Sequence, residues 1–251
     1  MTIGEIQIRV FPFPRVEPGD DVPELVVRCL RAQHVALRPS DVLVVAQKIV
    51  STGEGRIVRL ETIEPSARAL ALAREVDKDP RLVELVLRES TAIVRRRPGT
   101  LIARHRLGFV CANAGVDLSN AGPGCAVLLP ADPDASAHRI RAAIADAYGV
   151  WVGVIVSDTH GRAHREGAVG VCVGVAGIRP LADHRGRRDL FGYELRSSVE
   201  AIADEIASAA TPLMGQSDEQ HPLALARGFP VTTGVGSAAE LVRPRRRDLF
   251  E

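Results

Sequence analysis

Net charge is almost missing from this sequence. Its 32 Lys and Arg stand against 31 Asp and Glu, a formal +1, so no global field favours nucleic acid or an anionic membrane surface. No apolar stretch approaches the roughly 20 residues a membrane helix needs. The opening MTIGEIQIRV lacks the basic start and long apolar core of a signal peptide, so a cytoplasmic protein is expected. The four cysteines, Cys29, Cys111, Cys125 and Cys172, lie singly with no CxxC pair, which excludes a disulfide scaffold and points to free, mostly buried thiols. There is no internal repeat, no low-complexity tract, no Walker A pattern and no GxSxG elbow. Lysine, too, is scarce: only Lys48 and Lys78 occur among the 32 basic residues. A lysine kept in an arginine-rich background, at the end of an apolar run, invites a functional reading.

What is present is an ordinary globular composition, 251 residues with 46% hydrophobic and 25% charged, enough for one large domain or two closely joined lobes. EIQIRV alternates like a strand, and FPFPRVEPGDD is a proline-rich loop. VPELVVRCLRAQ has helical spacing. DVLVVAQKIV is a continuous apolar run ending in polar groups, as a buried strand would, with Lys48 closing it. EPSARALALAREV and DPRLVELVLRES read as helices. TLIARHRLGFVCANAG and GCAVLLP read as strands around a polar loop. DASAHRIRAAIADAYG reads as a helix capped by Asp134 or Ser136 and closed by Gly149. VWVGVIVSDT and AVGVCVGVAGI form paired strands, YELRSSVEAIADEIASAATPLMG the longest helix, and LALARGFPVTTGVG a last short strand before a polar tail, residues 235–251. Strands and helices are grouped, which favours an α+β fold over a doubly wound sheet. The final RPRRR is expected to be solvated, and GVGSAA lies too near the end to open a dinucleotide-binding unit.

Three polar loops carry the chemistry. SDTHGR follows an apolar strand and places Asp158 at the mouth of the core, where a carboxylate needs a cation or several donors. CANAGVDLSNAGPG sets Asn113, Asp117, Ser119 and Asn120 among glycines, a composition suited to a phosphate or a hard metal. MGQSDEQHP supplies Gln216, Asp218 and Glu219. Oxygen donors from Asp117, Asp158, Thr159 and Gln216 suit Mg2+ or Mn2+. Zinc at His160 and His164 is disfavoured, because Gly161 argues against the helix that an i, i+4 pair requires. Lys48 has the reach for a nucleotide phosphate, and Arg162 and Arg165 flank the Asp158 loop. Gly170, Gly174 and Gly177 strip one strand of side chains, marking close approach of either a ligand or another element.

Taken in order along the chain, DVLVVAQKIVSTGEGR, NAGVDLSN, VSDTHGR and MGQSDE resemble the coenzyme F420-0:L-glutamate ligases, the gamma-glutamyl ligases that finish the deazaflavin coenzyme F420. The resemblance spans most of residues 5–230. It implies one ligase domain over 1–251, two-lobed, with mixed, largely antiparallel sheets and flanking helices in a family-specific fold, and an intertwined homodimer. It implies a GTP-dependent addition of L-glutamate to F420-0 through an acyl phosphate, with further gamma-linked glutamates open. Asp117, Asp158, Thr159 and Gln216 then look like the divalent-metal set, with Asp117, Asp158 and Lys48 central to catalysis. Lys48 and Asn120 look like nucleotide contacts. Phe11, Pro12, Phe13 and Pro14, with Met214, Gly215, Gln216, Ser217, Asp218 and Glu219, look like loops closing over GTP. The FPFP loop departs from the small-residue pattern of the family. Mg2+ against Mn2+, the use of K+, and a C-terminal flavin-binding nitroreductase-like domain stay open. Two rival readings use the same residues: a metal-dependent phosphohydrolase, in which the acids activate water, and a nucleotide-binding module without turnover.

Overall fold

The apolar run DVLVVAQKIV supplies the centre of the molecule in the computed structural model, which describes residues 4–249. The first three and last two residues of the expected 1–251 unit, and with them the end of the 235–251 tail, lie outside the described residues. In chain order the elements are β1 (Gln7–Phe11), α1 (Val22–Ala32), β2 (Val42–Ala46), α2 (Gln47–Gly53), β3 (Ile57–Arg59), α3 (Ala67–Val76), α4 (Pro80–Glu89), β4 (Ser90–Arg97), β5 (Thr100–His105) and β6 (Val110–Ala112). They continue with β7 (Cys125–Val127), α5 (Pro133–Tyr148), β8 (Gly153–Arg162), β9 (Arg165–Ala176), β10 (Ala182–Asp183), β11 (Val199–Glu200), α6 (Ile202–Met214) and β12 (Leu223–Arg227).

The main sheet has the order β1-β12-β2-β8-β9. β2 and β8 are parallel, and every other neighbouring pair is antiparallel. Alternation of side chains across a strand explains why β2 is apolar throughout. Leu43 and Val45 join a core with Val26 and Leu30 of α1 and Ile140 and Ile144 of α5. Val42 and Val44 face the other core, with Ile202, Ile206 and Met214 of α6. Helices therefore cover both faces, and all four residues are fully buried. A third core gathers α3, α4 and residues of β5 and β7 under Leu72, Val83, Leu101 and Ala126. The architecture is thus α+β with mostly antiparallel sheets and flanking helices.

A buried polar network ties the third core to the rest. Glu89, at the end of α4, accepts from Arg56 at 2.8 Å and from Arg106 at 3.2 Å. Those guanidiniums also donate to the carbonyls of Leu129, Pro130 and Ala131, which lead into α5. Burial alone would raise the Glu89 pKa, but His105, Arg56 and Arg106 more than offset it and hold it at about 2.

Several local expectations change. The longest helix is α5, with 16 residues, whereas α6 has 13 and begins only at Ile202. The polar stretch ahead of it has no apolar face to bury. Residues 183–200 instead fold back as an arm whose rungs include His184 N–H to the Ser198 carbonyl and Gly186 N–H to the Leu195 carbonyl. The cap of α5 is Asp132, accepting from Ala135 N–H. Asp134 is drawn away to accept from Val175 N–H at 2.7 Å and from the Ser237 hydroxyl, and Ser136 donates to Glu54. SDTHGR is not a loop, because β8 runs through it to Arg162 and the chain turns only near His164. The expected tail starts docked: Ser237 caps a short 3-10 helix, Ala238–Leu241, and Ala238 is buried. Arg243–Arg247 are exposed, as expected for a solvated run.

The glycines of β9 serve packing between elements. A Cβ on Gly170 would lie 2.5 Å from the Ala207 carbonyl oxygen of α6, and one on Gly174 would strike Pro133 at the start of α5.

Candidate active site

β2 and β8 run side by side until Ala46 pairs with Ser157. There β2 ends and the chain turns into α2, while β8 continues. This divergence, at the carboxyl end of a parallel pair, is where open α/β sheets accommodate ligands. It opens a cavity of about 630 Å³, walled by residues 13–17, the first turns of α2, residues 120–122, Ser157–Thr159 and residues 214–222.

The loops around it are tied together by main-chain groups. Phe13 N–H donates to the Gln220 carbonyl at 3.2 Å, and Ala46 N–H to the Pro222 carbonyl at 2.8 Å. The Asn120 amide donates to the Ser217 carbonyl at 3.2 Å. Gly215 ends α6 with φ 81°, and any Cβ there would collide with the Glu219 side chain. Glu219 folds back to accept from Ser217 N–H at 2.8 Å, and such backbone donors hold its carboxyl below the usual range.

Lys48 does not close the strand. It stands in the first turn of α2 and reaches across to the 117–120 loop, 2.8 Å from Asp117 Oδ2 and 2.5 Å from the Ser119 hydroxyl. Ser119 in turn gives its N–H and its hydroxyl to the two Asp117 oxygens, at 2.8 and 2.9 Å. Burial pushes the Asp117 pKa up, but the Lys48 ammonium and the Ser119 donors outweigh it, and the carboxyl stays below its ordinary value. On β8, Asp158 Oδ2 lies 3.0 Å from His160 Nε2. The imidazole packs on Phe109, which stacks on His105.

Of the residues expected here, Phe13, Pro14, Lys48, Asn120, Asp158, Thr159, Met214, Gly215, Gln216, Ser217, Asp218 and Glu219 all line the cavity. Asp117 reaches it through Lys48. Two are placed elsewhere. Phe11 is the last residue of β1 and is fully buried in the first core, since the alternation of β1 turns it inward. Pro12 lies over α1, where its carbonyl accepts from the Cys29 thiol. Ser119 gains a role not assigned from sequence, that of bridge between Lys48 and Asp117. The Asp-x-Ser spacing was its signal, because Asp readily takes an N–H two residues on.

The donor set fits a hard divalent cation: two carboxylates, a threonine and a side-chain amide, all oxygen ligands. Gln216 spends its NH2 on the Gly215 carbonyl, which leaves its amide oxygen as an acceptor. Among the described residues no three His, Cys, Asp or Glu side chains form a ready-made metal cluster. A cation here would be completed by phosphate oxygens, the usual situation for Mg2+ with nucleotides. The helical i, i+4 pair that zinc at His160 and His164 would require is not formed, since His160 lies in a strand and His164 in the turn after it. None of the described helices is long and apolar enough to cross a membrane.

Comparison with known proteins identifies a family. The family model described as F420-0:Gamma-glutamyl ligase matches residues 11–228. A coenzyme F420:L-glutamate ligase of Methanopyrus kandleri is 46% identical over 250 residues, covering 97% of each chain. One from Methanothermobacter thermautotrophicus is 46% identical, covering 99% of each. One from Archaeoglobus fulgidus is 40% identical, covering 98% of this chain and 97% of its own. These relatives are about as long as this chain, so a nitroreductase-like extension has no counterpart in them. With a match over the main sheet and all three loops of the cleft, the chain belongs to the F420-0:gamma-glutamyl ligase family.

Proposed function

We propose that this protein is a ligase of coenzyme F420 biosynthesis that joins L-glutamate to F420-0 at the expense of GTP. The observation that carries the reading is the convergence of Lys48, Asp158 and Gln216 on one cleft, with Asp117 paired to Lys48, in a chain of this family. A terminal carboxylate oxygen of F420-0 attacks the γ-phosphorus of GTP, the bond to the β-phosphate oxygen breaks, and GDP leaves. The glutamate amine then attacks the acyl carbon. The new C–N bond replaces the C–O bond to phosphate, and the ammonium proton is lost to solvent. A bound Mg2+ or Mn2+ supplies the charge that lets the two anions meet.

The residues of the chain have separable tasks. Asp117 and Asp158 would hold the cation, aided by Thr159 and the Gln216 amide oxygen. Lys48, in the first turn of α2 and paired with Asp117, would supply its ammonium to the phosphates as a mobile point charge. Asn120 and the 214–222 loop, tied to residues 13–17 through Phe13 and Gln220, cover the nucleotide and keep water from the acyl phosphate. The enzyme works as a homodimer, an association supported by an arm, residues 183–200, whose Leu190 and Phe191 are 98% and 96% exposed.

The test is incubation of the purified protein with GTP, Mn2+, L-glutamate and F420-0, following the deazaflavin by mass spectrometry alongside GDP. Mass gains of one or more glutamyl units that require GTP are expected. GDP without such gains would replace the ligase by a phosphohydrolase, and neither product would leave a nucleotide-binding module.

A further inference from the structure

Asp158 differs from Asp117 in how it is held. Asp117 is fixed by a lysine, a hydroxyl and a backbone N–H. Asp158 is only 16% exposed at its side chain, yet among the described residues its one hydrogen-bond partner is His160, two residues further along the same strand. Residues i and i+2 of a strand share a face, so the contact is built into β8 and needs no loop to form it. A carboxylate that accepts across this 3.0 Å contact pairs with the Nε2–H tautomer of the imidazole. The ring is itself held. It is 13% exposed and lies against Phe109, centroids 5.1 Å apart, and Phe109 stacks on the fully buried His105.

We infer that His160 is a positioning residue: its Nε2–H fixes one oxygen of Asp158 and thereby presents the other to the cleft in a single orientation. The inference rests on the reading of Asp158 as a cation ligand. A phenyl ring would cover Phe109 equally well; the imidazole lies beside Asp204 of α6, but it is Asp158 that it meets at hydrogen-bond distance. Outer hydrogen-bond partners of metal-binding carboxylates govern affinity by holding the ligand in place.

The experiment compares the parent with His160→Phe, His160→Gln and Asp158→Asn, reading Mn2+ affinity in the presence of GDP from the free-ion electron paramagnetic resonance signal. Thermal melting is followed in parallel. His160→Phe is expected to weaken Mn2+ binding about tenfold with its melting point kept. His160→Gln, which retains an N–H donor, is expected to recover most of that loss. Parental Mn2+ affinity in a folded His160→Phe overturns the inference, and so does a Gln variant no better than Phe. If His160→Phe fails to fold, the Gln variant beside His160→Leu decides in the same way. Asp158→Asn separates the two levels: unchanged Mn2+ affinity in that variant removes Asp158 from the cation site, whereas loss there with none in His160→Phe removes only the role of His160.

Discussion

At the scale of single residues, the site is a set of charges kept apart from water by modest burial and held by short contacts. Asp158 is the most exacting of them, because it combines low exposure with a single donor. Asp158→Asn preserves shape and hydrogen-bonding capacity while removing the charge, so turnover should fall on the order of 10²–10³-fold, the scale of losing one preorganised electrostatic contact. Circular dichroism and the melting point should stay near parental values, and full activity in this variant would take Asp158 out of the chemistry. The oxygen donors themselves were legible in the sequence, since Asp, Thr, Asn and Gln among glycines mark loops able to hold an anion or a hard cation. The Lys48–Ser119 contact was not, because its partners stand 71 residues apart and no local pattern signals a long-range pairing.

At the scale of elements, the cleft depends on how α6 sits on β9. Gly170 brings that helix so close that a methyl group would meet the Ala207 carbonyl and the Thr211 hydroxyl. The Ser208 hydroxyl further bonds the Gly170 carbonyl at 2.7 Å. Gly170→Ala should therefore overpack this contact, costing about 1–3 kcal/mol, and a denaturant titration would read the loss. Because the 214–222 loop follows directly from α6, activity should fall further than stability alone accounts for. A variant as stable and as active as the parent would show that the helix can step away freely. The glycine pattern was visible in the sequence with two readings, ligand or neighbouring element, and the packing of α6 and α5 decides for the element. α6 is shorter than its sequence suggests because its apolar spacing begins only at Ile202, whereas the preceding polar residues find their hydrogen bonds in an arm.

At the scale of the whole molecule, the Glu89 network is the joint between the third core and the main sheet. Its carboxyl falls from an ordinary 4.5 to about 2 in the fold. A depressed folded pKa means that its stabilisation is present above pH 4.5 and is lost as pH falls from there towards 2; the shift corresponds to on the order of 3 kcal/mol. Burial also keeps His105 below its ordinary 6.5, so proton uptake by the unfolded chain weakens the fold in the same direction below that pH. Urea unfolding followed from pH 7 to pH 3 should show this acid limb in the parent and a flattened one in Glu89→Gln, which should also be less stable at pH 7; identical limbs would remove Glu89 as the cause. The proposed dimer is tested on the arm: Leu190→Asp with Phe191→Asp should convert a sedimenting dimer to a monomer, and an unchanged sedimentation coefficient would place the interface elsewhere. By itself the sequence determined the α+β class, β2 as a strand buried on both faces, the oxygen-donor residues and the family, because hydrophobic periodicity, turn chemistry and motif order are local properties. Only the tertiary structure decided that β8 runs on past the end of β2 to open the cleft, that Phe11 turns inward, and that His160 stands behind Asp158. Those outcomes follow from strand register and from which faces the cores cover, and both are set by contacts between segments remote from one another along the chain.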